Sequence, residues 1–477
     1  MTLTAPPPAR ADALRRGLAS WLPGRRWFAG KGRPFLGPQI LHRTPLAAAV
    51  PGAAWRAEVL VVRVSHSQVE APDHYLVPVA MRHSLPPGLE DSLIARDERC
   101  VVYDALADPQ IVRDLVDGLL KTRPGQGEVA FRRGGAVGDT GLPLGEARVL
   151  SGEQSNTSVV LGDEVVLKVF RRLRQGENPE SEVLRLLTEA GQPHVPPLLG
   201  DFEGPLGEGR ATYGILQRFL PDAADGWALA LAGAGGAPAP AGGAGPGDGF
   251  PAEAFRLGEA VAAVHRTLAE AAPTTRLSRE DLRAAGERMR ARLEAAVRLS
   301  PGLRTIAPSL AAAFAGLAAS GPGVLAQRLH GDLHLGQTLR TRTGWSLIDF
   351  EGEPDSPLAH RRALHPVAKD IAGMLRSFDY AAHHGLLRAE PPAAERRDLQ
   401  EAARAWAARS QEAFCEGYAR AAGADPREHG ALLRAYLVDK AVYELVYEIR
   451  NRPGWASLPM RALERLSRGA GTGGSPL

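Results

Sequence analysis

The sequence is poor in cysteine, in long apolar runs and in clustered positive charge. Only two cysteines occur among 477 residues, Cys100 and Cys415, which excludes a disulfide framework and predicts two buried thiols. No uncharged apolar stretch reaches about 18 residues, and the N-terminus lacks a secretion-signal pattern. Lys and Arg exceed Asp and Glu by only three, 57 against 54, with no basic run. These absences predict a cytoplasmic protein that binds neither membranes nor nucleic acids.

Two common phosphate-binding signatures are also missing. The pattern G-x-x-x-x-G-K-[ST] does not occur, which disfavours the P-loop class of kinase. The segment just ahead of the Lys168 strand has a single glycine in place of the G-x-G-x-x-G loop of protein kinases, and the H-R-D triplet is absent. An enzyme acting on phosphate would therefore need another arrangement of residues.

The strongest chemical signal is the sequence HGDLHLGQ at residues 330–337, followed by IDFEG at 348–352. Phosphoryl transfer to a hydroxyl needs one carboxylate to orient the acceptor, and acidic or amide oxygens to hold Mg²⁺. Asp332 has an amide, Gln337, five residues later, and Asp349 follows twelve residues after that. This spacing matches the catalytic aspartate, amide and D-F-G aspartate of kinases. The alternative is a purely structural role, in which both aspartates cap turns.

The segment between these aspartates predicts a strand, a turn at 341–344 and a second strand. The hairpin brings its two ends to one edge. His330 and His334 fit a structural role or a supporting catalytic role equally well. A zinc site is disfavoured, because no third ligand occurs at a suitable spacing.

A kinase also needs a cation on the ATP phosphates. Lys168 lies within the apolar sequence VVLKVF at 165–170, where a lysine is costly unless it is paired. Glu182 is the natural partner in the following helix, with Glu180 as the alternative. An exposed edge-strand lysine is the competing interpretation. The residue pair Gly162-Asp163 between two apolar runs predicts a β-hairpin.

A polar segment just before this hairpin stands where protein kinases have their glycine-rich loop. Its hydroxyl and amide groups could cradle phosphates, although a polar turn is common. The candidates are Ser151, Gln154, Ser155, Asn156 and Thr157.

The sequence DKAVYELVYEIRNRP at 439–453 predicts an amphipathic helix. Val442, Leu445, Val446 and Ile449 form its apolar face. The other side carries a lysine, two tyrosines and two glutamates: Lys440, Tyr443, Glu444, Tyr447 and Glu448. Such a face suits a sugar, but a solvent-exposed stripe with an ion pair from Lys440 to Glu444 explains it equally well.

The chain divides by composition into a small mixed segment, a β-rich lobe and a mostly helical lobe. Arg25, Arg26 and Lys31 favour a solvated loop over a ligand site. The predicted divisions are a cap at 1–92, a β-rich lobe at 93–221, a helical lobe at 222–468 with a flexible loop at 232–249, and a disordered tail at 469–477. Helices are predicted at 11–21, 104–120, 179–190, 255–271, 280–298, 309–319, 393–421 and 429–451, and strands at 58–64, 157–161, 164–170 and 213–220.

Taken together, these residues resemble the actinobacterial maltokinase family over nearly the whole chain. The resemblance implies an α+β, bilobal protein-kinase-like fold of the aminoglycoside-phosphotransferase type with an N-terminal cap. It implies transfer of the ATP γ-phosphate to maltose, giving maltose 1-phosphate for α-glucan (glycogen) synthesis, and possible association with a separate trehalose synthase. The motifs that carry it are RWFAGKG (26–32), EQSNTS (153–158), HGDLHLGQ (330–337), DFEGE (349–353), DIAGMLRSFDY (370–380) and DKAVYELVYEIRNRP (439–453).

The same resemblance implies roles for individual residues. Asp332 is the expected catalytic base, and Gln337, Asp349 and Glu351 are the expected Mg²⁺ ligands. The expected ATP-binding residues are Ser151, Gln154, Ser155, Asn156, Thr157, Lys168, Glu182 and Gln217. The expected sugar-binding residues are His330, His334, Lys440, Tyr443, Glu444, Tyr447 and Arg450.

Three alternatives stay open from the sequence. The same fold could phosphorylate an aminoglycoside, choline or another hydroxyl compound, although the mixed charge of 439–453 fits neither an aromatic cage nor an acidic surface. A catalytically dead binding module would be expected to lose Asp332, Asp349 or Lys168, and all three are present. A protein kinase is disfavoured by the missing signatures.

Overall fold

The computed structural model describes residues 8–46, 55–67, 71–121, 128–135, 144–150, 155–235, 249–354, 356–389 and 393–468. The chain forms two compact units. Unit 1 contains Met1–Glu189 and Pro196–Pro221, and unit 2 contains Ala190–Val195 and Asp222–Leu477. The predicted flexible loop lies largely, and the predicted tail entirely, outside the described residues.

The first sheet of unit 1 has six strands in the order β1-β2-β3-β5-β4, and β10 also pairs with β3. It extends past residue 92, because β4 and β5 pair with each other and β5 pairs with β3. The strands are β1 (Pro38–Pro45), β2 (Arg56–Val64), β3 (Asp73–Arg82), β4 (Leu93–Arg96), β5 (Val101–Asp104) and β10 (Arg172–Leu173).

Strand β2 shows why this sheet is buried on both faces. Side chains alternate along a strand, so Val59 and Val61 point to one side and Leu60, Val62 and Val64 to the other. The first pair lies in the larger core of unit 1, which both sheets share. The other three lie in a second core with the tryptophans and phenylalanines of the N-terminal segment. A strand buried on both faces reads as a continuous apolar run, as this one does.

The second sheet of unit 1 has the order β6-β11-β12-β9-β8-β7. The predicted hairpin is confirmed, because β8 and β9 pair antiparallel across the turn at Gly162-Asp163. Its strands are β6 (Ala130–Arg133), β7 (Ala147–Val149), β8 (Asn156–Leu161), β9 (Val165–Phe170), β11 (Leu198–Leu206) and β12 (Gly209–Arg218).

Unit 1 has three α-helices among its described residues: α1 (Pro8–Trp21), α2 (Pro109–Lys121) and α3 (Pro179–Glu189). The prediction of one helix over 104–120 is wrong at its start. The chain first completes β5 and a short 3-10 turn at Ala105–Ala107. Asp108 then accepts hydrogen bonds from the N–H groups of Gln110 and Ile111, which caps α2 just before Pro109.

Unit 2 is mostly helical. The sequence predicted its helices at 255–271, 280–298, 309–319, 393–421 and 429–451 to within a few residues at most ends, but did not assign α4, α8, α9 or α12. The helices are α4 (Gly226–Gly233), α5 (Gly249–Ala271), α6 (Arg279–Leu299), α7 (Ala307–Ala315), α8 (Leu358–Arg361), α9 (Ala368–Ala389), α10 (Ala393–Ala422), α11 (Gly430–Asn451) and α12 (Ser457–Arg468).

Short strands of unit 2 frame the candidate catalytic segment. The predicted hairpin is confirmed as β16 (Thr338–Thr341) and β17 (Gly344–Leu347), with β13 (Ala224–Asp225) beside β16. A separate pair joins β14 (Thr275–Leu277) to β15 (Val324–Ala326). In the described part of the chain, no helix combines the length and apolar character that crossing a bilayer requires.

Candidate active site

The segment that carries Asp332 follows β15 and precedes β16. Gly331 has a φ of +86°, a backbone conformation that glycine adopts without strain. A Cβ at this position would lie 3.2 Å from the Cα of Gly352, which also has a positive φ. The two glycines therefore let the HGD segment pass close to the DFEG segment. The sequence predicted that these segments meet, and the structure of unit 2 brings them together.

Asp370 on α9 fixes the backbone of the HGD segment. Its carboxylate is buried and accepts the N–H groups of His330 and Gly331, both at 2.9 Å. The Nε2 of His265 lies 3.2 Å from the same carboxylate. Burial tends to raise the pKa of Asp370, but the bonds and charge from His265 and His330 lower it below the ordinary value. Asp370 belongs to the DIAGMLRSFDY motif, but its sequence position alone did not indicate this role.

Asp332 is paired with Lys440 of α11. The Lys440 Nζ lies 2.6 Å from Asp332 Oδ1, and each side chain is about one-seventh exposed (14% and 16%). Burial favours the neutral acid, but the positive charge of Lys440 outweighs it and lowers the pKa of Asp332. Burial likewise opposes the charged lysine, and Asp332 and Glu353 raise the pKa of Lys440. The pair is therefore a carboxylate and an ammonium at neutral pH.

The two histidines of the HGDLHLGQ segment make different contacts. His330 Nε2 contacts the carbonyl of Ile348 at 2.8 Å, and its ring packs 4.7 Å from that of Phe350. His330 thus ties the HGD segment to the DFEG segment. His334 accepts the N–H of Gly336 through Nδ1, and burial lowers its pKa, so it is neutral beside Asp332.

Gln337 and Asp349 also meet. The Gln337 amide donates to Asp349 Oδ2 at 2.9 Å. Asp349 has a φ of +66°, which is uncommon for a residue with a Cβ and concentrates at functional sites. Glu351, the third predicted metal ligand, lies 3.7 Å from the guanidinium of Arg361. Carboxylate and amide oxygens are ligands that Mg²⁺ accepts, so these side chains fit that ion.

The polar face of α11 is not a solvent-exposed stripe. Lys440 pairs with Asp332, and Glu444 accepts two hydrogen bonds from Arg376 at 2.9 and 2.8 Å. The alternative of an ion pair from Lys440 to Glu444 along the helix is therefore wrong as an account of the face. Burial raises the pKa of Glu444, against the charges of Arg376 and Lys440.

The two tyrosines of this face lie side by side. The ring centroids of Tyr443 and Tyr447 are 6.4 Å apart with an angle of 23° between planes. The Lys440 ammonium lies 4.9 Å from the Tyr443 centroid. Arg450 is exposed at the end of the helix. Glu448, placed on the same polar face by its sequence position, is only 2% exposed and binds Arg452.

The lysine predicted for ATP lies in unit 1. Along β9, Leu167 and Val169 point into the core, so the alternation turns Lys168 to the opposite side. Its Nζ lies 2.8 Å from Glu180 Oε2, and both side chains are buried. This corrects the choice of Glu182 as the partner. Two positions along a helix turn a side chain by about 200°, so Glu180 and Glu182 cannot both face Lys168.

The other predicted ATP-binding residues differ in what they contact. Ser151 and Gln154 lie outside the described residues. Ser155 is exposed, and Asn156 is buried at the start of β8. Thr157 accepts a hydrogen bond from Arg171 at 2.8 Å. Gln217 near the end of β12 keeps a buried Oε1 with no hydrogen-bond partner among the described residues, which leaves an acceptor for a ligand.

Sequence reasoning missed two supporting groups, Asp370 and Arg376. Both lie in the 370–380 motif, and both act over long sequence distances: Asp370 on the HGD segment and Arg376 on Glu444. A buried acid and a buried arginine in an otherwise apolar helical stretch were the available signal, because such groups are kept only when paired.

Two protein-family models match the chain. The model of a phosphotransferase enzyme family matches residues 146–432, and that of a maltokinase N-terminal cap domain matches residues 21–108. The first match covers most of the chain and includes both Lys168 and Asp332. The prediction of a phosphotransferase with an N-terminal cap is confirmed by the two matches.

Two curated relatives are similar to this chain in sequence, and a solved structure is similar to it in fold. The glucosamine kinase of Streptacidiphilus jiangxiensis is 30% identical over 382 residues, which is 75% of this chain and 84% of the relative. That of Mycolicibacterium smegmatis (strain ATCC 700084 / mc(2)155) is 29% identical over 323 residues, 67% of this chain and 79% of the relative. A solved structure of glucosamine kinase in complex with glucosamine, ADP and inorganic phosphate has a TM-score of 0.65 at 23% identity, covering 94% of this chain and 98% of that one. The chain belongs to the phosphotransferase enzyme family and carries a maltokinase N-terminal cap domain.

Proposed function

We propose that this protein is an ATP-dependent sugar kinase whose acceptor is maltose and whose product is maltose 1-phosphate. The observation that carries the proposal is the position of Lys440. Its ammonium touches Asp332, the candidate base, and lies 4.9 Å from the Tyr443 ring. One helix therefore presents a flat aromatic surface and charged groups directly beside the carboxylate that would activate a hydroxyl.

Asp332 orients the acceptor hydroxyl and takes its proton as the phosphoryl group is transferred. The transition state of phosphoryl transfer is loose, so positioning and charge count for more than a strong base. Lys440 serves this role, because it keeps Asp332 ionised and holds the carboxylate in one direction. Asp370 holds the backbone on which Asp332 is mounted, and so acts on the reaction through position.

Three described side chains support the proposal that the nucleotide binds to the β-rich unit. Lys168 is held by Glu180 on the face of β9 opposite the core, where an ammonium suits ATP phosphates. Gln217 offers an open acceptor. Of the polar segment before β8, Ser155 is exposed, as a phosphate-binding side chain must be.

Gln337 and Asp349 are the residues proposed to hold Mg²⁺, with Glu351 as a third. When bound, the ion would neutralise charge on the phosphates. The hydrogen bond between the first two keeps their side chains together, and the left-handed backbone of Asp349 fixes its direction. Arg361 competes for Glu351, which makes this carboxylate the weakest of the three candidates.

Glucosamine is the second candidate acceptor, because both curated relatives are named glucosamine kinases. An amino sugar brings an ammonium group and needs a carboxylate to receive it. On the face of α11, the carboxylate of Glu444 is already bound by Arg376, and that of Asp332 by Lys440. This charge balance favours a sugar that carries hydroxyl groups alone, as maltose does.

The test is phosphate transfer from ATP with Mg²⁺ to separate samples of maltose, glucosamine, glucose, trehalose and kanamycin. Products are identified by mass and by ³¹P NMR. The proposal expects maltose to be converted to an acid-labile anomeric phosphate at the highest kcat/KM. A higher kcat/KM for glucosamine would overturn the maltose assignment and leave the sugar kinase.

Omission of Mg²⁺ with EDTA present tests the metal assignment, since transfer should then stop. Maltose 1-phosphate would supply α-glucan synthesis, as the resemblance implies. Association with a trehalose synthase stays a prediction from that resemblance.

A further inference from the structure

Arg171 is a fully buried arginine that follows the last residue of β9, the strand that carries Lys168. Only 1% of it is exposed. Its Nε donates to the hydroxyl of Thr157 on β8 at 2.8 Å, and its NH2 group donates to Asp104 at 2.6 Å. The guanidinium carbon lies 4.9 Å from the ring centroid of Trp27. These three contacts come from three different parts of unit 1.

Two of the three partners belong to the cap. Trp27 and Asp104 both lie within residues 21–108, the range that matches the cap domain model. Thr157 lies in the phosphotransferase range and pairs with Val169, next to Lys168. Arg171 therefore bridges the cap and the strand pair that carries the ATP-binding lysine.

The backbone makes the same connection. The N–H of Leu76 on β3 donates to the carbonyl of Arg171 at 2.8 Å. The next residue, Arg172, begins β10 and pairs with Tyr75 on β3. Arg171 thus lies where the chain leaves the second sheet and joins the first.

A buried guanidinium needs partners in fixed positions. Removing it from water is costly unless a carboxylate balances its charge and acceptors meet its donors. Asp104 is the carboxylate in this case, and Trp27 covers one face of the planar group. Because the guanidinium is a rigid fork, moving Asp104 or Trp27 must also move the donor that holds Thr157.

We propose that Arg171 is a positioning residue through which the cap sets the geometry of the β8–β9 hairpin and thereby the affinity for nucleotide. The inference rests on the assignment of Lys168 to ATP under the proposed function. It also explains the aromatic part of the RWFAGKG motif. Trp27 lies over Arg171 and packs against Tyr75, whereas Lys31 is exposed.

The first test changes the cap side alone. Asp104→Asn keeps the shape of the side chain and an oxygen that can accept the N–H of Leu106, but removes the charge opposite Arg171. ADP affinity is measured by calorimetry with Mg²⁺ and without a sugar. We expect the Kd for ADP to rise about twofold to thirtyfold, with an unchanged KM for maltose.

Asp73→Asn is the matched control. Asp73 on β3 accepts hydrogen bonds from Arg172 of β10 at 3.0 and 2.7 Å, so it also ties the cap to the segment that follows β9, without reaching Thr157. Its Kd for ADP should equal that of the wild type, even if both variants melt at a lower temperature. Equal changes of Kd in the two variants would reduce Arg171 to a structural role and overturn the proposal.

A double-mutant cycle tests the route. Thr157→Val removes the hydroxyl that Arg171 binds, and Thr157→Ser retains it and should rescue ADP binding. The double variant Asp104→Asn with Thr157→Val should raise the Kd for ADP by less than the product of the two single increases, because both changes break the same chain of contacts. Independent, multiplicative effects would contradict transmission through Arg171.

The result also separates this inference from the proposed function. A wild-type protein that fails to bind ADP overturns the nucleotide assignment and with it both proposals. A wild-type protein that binds ADP with the same Kd as Asp104→Asn overturns only the role of Arg171.

Discussion

Replacing Asp370 with asparagine should destabilise unit 2 and slow phosphate transfer together. The carboxylate accepts the N–H groups of His330 and Gly331, one on each oxygen, and lies 3.2 Å from His265 Nε2. Asparagine has one oxygen, so one buried N–H would face an NH2 group. A hydrogen bond to a charged group contributes about 1.5–3 kcal/mol, and an unsatisfied buried donor costs about 1–3 kcal/mol. The free energy of unfolding should therefore fall by about 3–5 kcal/mol, which is a large share of the stability of an ordinary domain.

Urea unfolding and steady-state kinetics measure the two consequences. We expect kcat to fall by about 100-fold, because the displaced HGD segment moves Asp332 away from the acceptor. Ser377→Ala is the control. It removes one neutral bond to the N–H of Leu335 and should cost about 1 kcal/mol.

The pH dependence gives an independent check on Asp370. Its pKa is lower in the folded protein than its ordinary value of 3.8, so its contribution to stability is present above that pH and is lost as pH falls through the folded pKa. The difference in unfolding free energy between wild type and Asp370→Asn should therefore shrink in acid. A variant that loses less than about 1 kcal/mol and keeps full kcat would refute this account of the HGD segment.

Three further changes have expected outcomes of their own. Glu180→Gln removes the charge that balances buried Lys168, which should cost about 3–5 kcal/mol and raise the KM for ATP; calorimetric melting and kinetics check both. Lys440→Met leaves burial to raise the pKa of Asp332, so the acid limb of the kcat/KM profile should move to higher pH; an unmoved limb would contradict the pairing. Gly331→Ala forces a side chain into a left-handed backbone and should cost about 1–2 kcal/mol and lower kcat; urea unfolding and kinetics check both.

Local patterns predicted the parts of the fold that depend on local physics. The apolar run at 165–170 predicted a strand, and Val165, Leu167 and Val169 of that strand lie in the larger core of unit 1. The Gly162-Asp163 pair predicted its turn. The start of α2 was wrong, because an Asp-Pro cap at 108–109 ended one element and began another inside a single apolar pattern. Spacing favoured Glu182 over Glu180 as the partner of Lys168, and this choice was wrong, since only the folded helix shows that Glu180 faces Lys168.

The supporting groups of the candidate site could not be predicted from spacing, because they act between distant parts of the chain. Asp370 binds a segment about 40 residues earlier, and Arg376 reaches Glu444, 68 residues later. Lys440 was placed on a sugar-binding face, yet its contact with Asp332 spans 108 residues. The sequence indicated which residues carry chemistry, whereas the partners that fix their charge and direction appear only in three dimensions.

The most direct test of the central claim compares wild type with Asp332→Asn in transfer of phosphate from ATP to maltose, followed by ³¹P NMR. Asparagine keeps the shape of the side chain and an acceptor for Lys440, and a melting curve confirms that the variant is folded. We predict maltose 1-phosphate from the wild type and a loss of at least about 100-fold in kcat for the variant. A folded Asp332→Asn protein that transfers phosphate at the wild-type rate would contradict the assignment of Asp332 as the catalytic base.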